Sequence, residues 1–289
     1  MTTSGASAAS RPAGRTWTSR SWRSPAGTTA TARAWWRTSR PARATSGWWP
    51  GPWQHGLPYG QPADIGFGPY LAWWDRWLGG RRDAPLPAAK VTSYEIPSPG
   101  AGTGWKRFST WPPRGARQER LSLAADGTLS SSPSAATTSG FTVNTETTPA
   151  SPDEKLSFQT RPRRADLVLA GEVTAKVRAA FTATDGNIAV IVEDVAPDGT
   201  SNRITQGWLK ASHRFGHDRA VPVRPGTVYD LDIRTWPTHY RLSAGHSLRV
   251  TISSDDYPEI DSDAPAGQVS LRLGHGGTEI RLTTYEDNR

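Results

Sequence analysis

The sequence predicts a mainly β chain whose larger part is a jelly-roll β-sandwich, and three observations carry that prediction. From residue 90 onward apolar residues recur with period two, turn-forming Gly, Pro and Asp residues separate the runs, and no helical period lies between them. Alternation of this kind describes antiparallel strands that bury one face, and about ten such short strands need a second layer to cover them.

The chain opens on a segment that cannot contribute to such a core. Residues 1–49 use eight amino-acid types, with eight Arg, six Trp, no acidic residue and no Leu, Ile, Val, Phe or Tyr. Without apolar periodicity nothing offsets the entropy of ordering them, so they are expected to be disordered and of low complexity. Their Trp content matches Leu- and Val-rich codons read one base out of phase, which points to an out-of-frame translation that ends where Gly51-Pro52-Trp53-Gln54-His55-Gly56 begins. They also account for the formal charge of +8: eight of the 34 basic residues lie there, leaving 26 to balance the 26 acidic ones. An Arg/Trp segment could hold phosphates and stack on bases, yet the neutral remainder gives nucleic acid no footprint, and this stays a minor alternative.

The next element is a helix over 67–80. Phe67, Tyr70, Leu71, Trp74, Trp77 and Leu78 recur at three- and four-residue spacing, and Gly79-Gly80 stops the helix ahead of Arg81 and Arg82. Its aromatic face needs a partner. Pro85 and Pro87 mark a linker, so the expected divisions are 1–49, 50–85 and 86–289.

Within 86–289 the clearest strand alternates Val173, Ala175, Val177, Ala179 and Phe181 with Thr174, Lys176, Arg178, Ala180 and Thr182. His246, Leu248, Val250 and Ile252 form a second, and Val269, Leu271 and Leu273 a third. Further strands are expected at 91–96, 120–123, 156–158, 188–195, 229–233 and 280–283. Asp126-Gly127, Asp185-Gly186, Pro197-Asp198-Gly199, Pro225-Gly226 and Gly276-Gly277 supply turns. The Ser-, Thr- and Pro-rich stretch from Ser130 to Pro152 reads as a long surface loop.

Several pieces in order resemble one family. Gly51-Pro52-Trp53-x-His55 is followed by the helix ending Trp74-Asp75-Arg76-Trp77-Leu78-Gly79-Gly80, then by Trp111-Pro112, Leu121-Ser122-Leu123 and Asp126-Gly127. Asp194-Val195-Ala196-Pro197-Asp198-Gly199, Thr205 to Arg214, and Gly245-His246-Ser247-Leu248-Arg249 complete the set. Together, from residue 51 to about 285, they resemble the CocE/NonD α/β-hydrolases, the family of cocaine esterases and X-prolyl dipeptidyl peptidases.

The resemblance implies a galactose-binding-like jelly roll at 86–289 behind a remnant of an α/β-hydrolase domain at 50–85. It implies a serine hydrolase acting on a small-molecule ester, amide or X-Pro peptide through an acyl-enzyme, with no metal or cofactor. It gives His55 the place of the catalytic general base, a role an imidazole suits because it titrates near neutrality. The sequence lacks a Gly-x-Ser-x-Gly nucleophile elbow, and no acidic residue precedes Asp64. The chain alone is therefore expected to be inactive, with the hydrolase domain as its partner. The other reading is a stand-alone β-sandwich that binds carbohydrate or protein.

Other constellations read as structural. His213 and His217 have the spacing of a helical metal pair but fall in a strand-and-loop region. Asp255, Asp256, Glu259, Asp261 and Asp263 lack the pattern of a calcium loop and read as a solvated acidic loop. Asp194 and Asp198 are expected to bond turn amides, and Trp73, Trp74 and Trp77 to be core. No Cys occurs, which excludes a disulfide framework, and no run of 18 apolar residues exists, so no membrane is expected and a cytoplasmic setting is.

Overall fold

The computed structural model describes residues 51–52, 63–86, 89–99, 104–260 and 262–286. His55 and residues 1–49 lie outside the described residues, and with them the expectations of disorder and of a general base.

Helix α1 spans Gly68–Trp77. The amide of Leu78 still bonds the Trp74 carbonyl, and Gly80 at φ 71 takes the left-handed turn that ends the helix. Trp73 is buried and packs edge-on against Trp77 at 5.7 Å, whereas Leu71, Trp74 and Leu78 are exposed. Trp74 is thus not core within this chain, which corrects that expectation: residues 71, 74 and 78 share the helix face turned away from Trp73.

Sixteen strands follow among the described residues: β1 (Val91–Tyr94), β2 (Ile96–Pro97), β3 (Trp105–Phe108), β4 (Arg117–Leu123), β5 (Leu129–Ser130), β6 (Thr137–Thr142), β7 (Lys155–Gln159) and β8 (Leu167–Gly171), then β9 (Thr174–Phe181), β10 (Asn187–Val195), β11 (Ser201–Lys210), β12 (Tyr229–Arg234), β13 (Thr238–Leu242), β14 (Ser247–Ser253), β15 (Gln268–Leu273) and β16 (Glu279–Thr284). They make a β-sandwich, as predicted. One sheet has the order β11-β10-β14-β7; the larger runs β2-β13-β8-β16-β9-β15-β6, with β12 on β9 and β4 carrying β5 beside β16.

The core lies between these sheets, and the strand period decides who enters it. In β9, Ala175, Val177, Ala179 and Phe181 are buried while their neighbours are partly exposed. From the smaller sheet Val190, Val192, Leu248, Val250 and Ile252 meet them, with Leu231, Ile233, Leu271 and Ile280 from the larger. Burying such side chains stabilises by roughly 1.5–3 kcal/mol each. Gly207 of β11 is needed where the sheets approach: a Cβ there would overlap the Arg234 carbonyl.

Two expectations fail here. The stretch from Ser130 to Pro152 is not a loop throughout, because β6 crosses it and pairs with β15, Phe141 opposite Val269. Phe141 alone of that strand is buried, and it anchors a run of Thr, Ser and Gly. Nor do 91–96 form one strand: β1 pairs with β3, Val91 opposite Phe108, and after Glu95 the chain continues as β2 parallel to β13.

Candidate functional site

Three polar constellations stand out, two closed to solvent and one open. The first is centred on Asp194 of β10, which is fully buried. Its Oδ2 accepts from Ser98 Oγ at 2.5 Å and from Tyr240 Oη at 2.8 Å, and its Oδ1 lies 2.6 Å from His246 Nδ1. Asp194 was expected to bond turn amides; only Asp198 does so, accepting from the Thr200 amide at 2.9 Å. Asp194 points instead into the gap that Tyr240 spans.

The second is centred on Glu95, 1% exposed. The hairpin of β1 and β3 covers the outer face of β13, where His239 and Arg241 would otherwise meet water. Arg241 donates twice to Glu95, from Nε at 2.7 Å and from Nη2 at 3.2 Å, and Lys106 Nζ lies 3.2 Å away. Burial alone would raise the Glu95 pKa, but bonds from His239, Arg241 and Lys106 outweigh it and hold the carboxyl well below the usual range.

Ser93, His239 and Glu95 have the connectivity of a catalytic triad. Ser93 Oγ is 3.1 Å from His239 Nδ1, and His239 Nε2 is 3.4 Å from Glu95 Oε2. A nucleophile must reach its substrate, however, and Ser93 is wholly buried beneath a layer in which Phe108 and Trp111 flank His239. In the Asp194 constellation the serine donates to the carboxylate rather than to the histidine, and Ser98 is itself wholly buried, out of reach of a substrate. Both constellations are structural.

The third is a cleft of about 350 Å³ on the outer face of the smaller sheet. Strand alternation builds its floor: Phe158, Val192 and Val250 point to the core, so Ser157, Glu193, Arg249 and Thr251 point outward. Register then aligns them in rows, Arg203 beside Glu193 beside Arg249, and Ile191 beside Thr251 beside Ser157. Arg249 holds Glu193 at 2.9 and 3.2 Å. One wall is the loop carrying Asp255, Asp256 and Tyr257.

That loop corrects the reading of a solvated acidic run in part: Glu259 and Asp263 are exposed as expected, whereas Asp255 and Asp256 are not. Asp255 and Asp256 are 3% and 2% exposed. Asp256 is held by Arg203 at 2.7 and 3.0 Å and by Trp208 Nε1 at 3.1 Å, while Asp263 pairs with Lys210 at 2.5 Å. Neither aspartate is legible from the sequence, because the partners of Asp256 are 48 and 53 residues away. His213 and His217 stack at 5.5 Å, His213 ending a 3-10 turn. Among the described residues no group of three or more His, Asp or Glu is placed to hold a metal ion, and no helix is long and apolar enough to cross a membrane.

The profile of the family described as the X-Pro dipeptidyl-peptidase C-terminal non-catalytic domain matches residues 90–288, the stretch that contains every strand of the sandwich. The chain belongs to that family. Its sandwich is the C-terminal domain of CocE/NonD-type hydrolases, in agreement with the resemblance read from the motifs. Cocaine esterase of Rhodococcus sp. is 23% identical over 77% of this chain, which spans 46% of that enzyme. An aminopeptidase from a marine sediment archaeon superimposes with a TM-score of 0.71 at 20% identity, over 88% of this chain and 52% of its own. A CocE/NonD family hydrolase from Staphylococcus aureus gives 0.69 at 13% identity, over 84% and 50%. The chain therefore spans about half the length of these relatives.

Proposed function

We propose that this chain serves as the C-terminal part of a serine hydrolase that acts on acyl esters, amides or X-Pro peptides through an acyl-enzyme. The match of residues 90–288 carries that reading. In this reading 86–289 is the jelly roll, 50–85 brings the histidine loop and last helix of the hydrolase domain, and 1–49 is the out-of-frame segment. His55 takes the general-base position, its serine and acid coming from the hydrolase domain as partner. A cytoplasmic setting goes with it.

Reading the coding DNA upstream of Gly51 in all three frames tests the proposal. It expects an apolar strand with an acidic residue ahead of Gly51-Pro52-Trp53-x-His55, and a Gly-x-Ser-x-Gly elbow further upstream. DNA that encodes neither in any frame overturns it.

A further inference from the structure

Strand β6 ends the larger sheet and pairs on one side alone, with β15. The Val143 amide bonds the Gly267 carbonyl at 2.9 Å, and the register continues with Phe141 opposite Val269 and Ser139 opposite Leu271. Antiparallel strands alternate between residues that bond the neighbour and residues that do not. Phe141 and Ser139 therefore turn their amides and carbonyls to β15, and Thr138 and Gly140 turn theirs away from it. Both of these are exposed, and no acceptor among the described residues takes either amide.

The other sheet margins are covered or charged. The Gln206 carbonyl of β11 takes the Trp236 amide at 3.0 Å, and that strand carries Arg203 and Lys210. The Gln159 amide of β7 bonds the Gly127 carbonyl at 2.8 Å, and Lys155 begins that strand. β2 is two residues long and ends on Pro97, while β12 carries Asp230, Asp232 and Arg234. Charge and proline of this kind keep an edge from pairing with another chain. β6, Thr-Thr-Ser-Gly-Phe-Thr, has neither. Its neutrality offers a charged partner nothing to recognise and leaves a copy of itself unrepelled. Laid antiparallel about Ser139, two copies set Thr138 opposite Gly140, both with outward backbone groups, and the glycine leaves room for the threonine side chain.

We propose that β6 is a docking edge for a second copy of this chain, the two strands pairing antiparallel about a two-fold axis at Ser139. Thr138 and the partner's Gly140 exchange N–H···O=C bonds in both directions, and the two-fold repeats the exchange. The paired stretch is short, so the dimer is weak and forms at high protein concentration. The proposal stands apart from the hydrolase reading, since it uses no residue of 50–85.

Amide hydrogen exchange on the full chain tests it, read residue by residue by NMR at about 50 µM and about 1 mM protein. A dissociation constant on the order of 0.1 mM slows exchange at Thr138 and Gly140 about threefold over that range, while Ser139 and Phe141, bonded to β15, stay protected at both. Thr138→Lys, which sets two like charges on one face of the paired strands, is expected to abolish the slowing. Thr138→Pro removes an outward N–H and no bond to β15, and it serves, read at Gly140, if the lysine disturbs the strand. Exchange at Thr138 and Gly140 that ignores concentration overturns the proposal, whether fast, as for an edge without a partner, or slow, as for an edge covered by this chain's own residues. Slowing that survives in the folded variants overturns it too, because association then runs through another surface, such as the apolar face of α1.

Discussion

The hydroxyl of Tyr240, on the larger sheet, donates to Oδ2 of Asp194, on the smaller sheet, across 2.8 Å. The bond crosses the sandwich and ends on a carboxylate that Ser98 and His246 also hold. Tyr240→Phe should cost about 1–2 kcal/mol. Asp194→Ala, which strands three partners at once, should cost about 3–5 kcal/mol. Urea unfolding at neutral pH reads both, and equal losses would contradict the hub arrangement.

The same bond predicts alkaline behaviour. Burial first, and the Asp194 carboxylate second, push the Tyr240 phenol well above its ordinary value of 10.0. A folded value above the unfolded one means that the contribution is whole below about pH 10 and is lost as pH rises beyond it. Tyr240→Phe should therefore flatten the fall in stability between neutral pH and pH 11. A parent and variant with parallel profiles would exclude this role.

Glu95 works in the opposite direction. Its carboxyl is held below the ordinary 4.5 by His239, Arg241 and Lys106 against the cost of burial. The stability it contributes is present above about pH 4.5 and fades as pH falls from there towards the folded value. Glu95→Gln should lose about 2–4 kcal/mol at pH 7 and lose most of its difference from the parent in strong acid, because it leaves the buried Arg241 with only the part-exposed Asp166 opposite its charge. Thermal melts from pH 7 down to pH 2 measure it, and an undiminished gap in strong acid would speak against the sign.

What the sequence shows and what it hides follows from one physical difference. β9 was legible because each inward residue is apolar and its neighbours, Ala180 apart, are not. β6 was not, since Phe141 is its one buried anchor among Thr, Ser and Gly. β13 hides for another reason: the β1 and β3 hairpin covers its outer face, so His239 and Arg241 are buried on a strand that alternation cannot describe. The cleft shows the limit most plainly. Asp255 and Asp256 look like a solvated run until the fold brings Arg203 to Asp256 and buries both aspartates.

Helix α1 carries a separate consequence. Leu71, Trp74 and Leu78 are exposed on one face, while Trp77 leans on the buried Trp73. Apolar surface of this kind promotes association at about 25 cal/mol per Å² buried. Trp74→Ala with Leu78→Ser should lower self-association in light scattering and leave the β signal of circular dichroism intact. A parent that is monomeric at high concentration would show that this face needs no partner.

The proposal that this chain is the C-terminal part of a serine hydrolase, with the nucleophile in a separate domain, meets its most direct test in one assay. Hydrolysis of a p-nitrophenyl ester is followed with the full chain and with its His55→Ala variant. A base without a nucleophile to activate gives no acyl transfer, so both proteins should match the buffer rate. Turnover well above that rate, abolished by His55→Ala, would contradict the account.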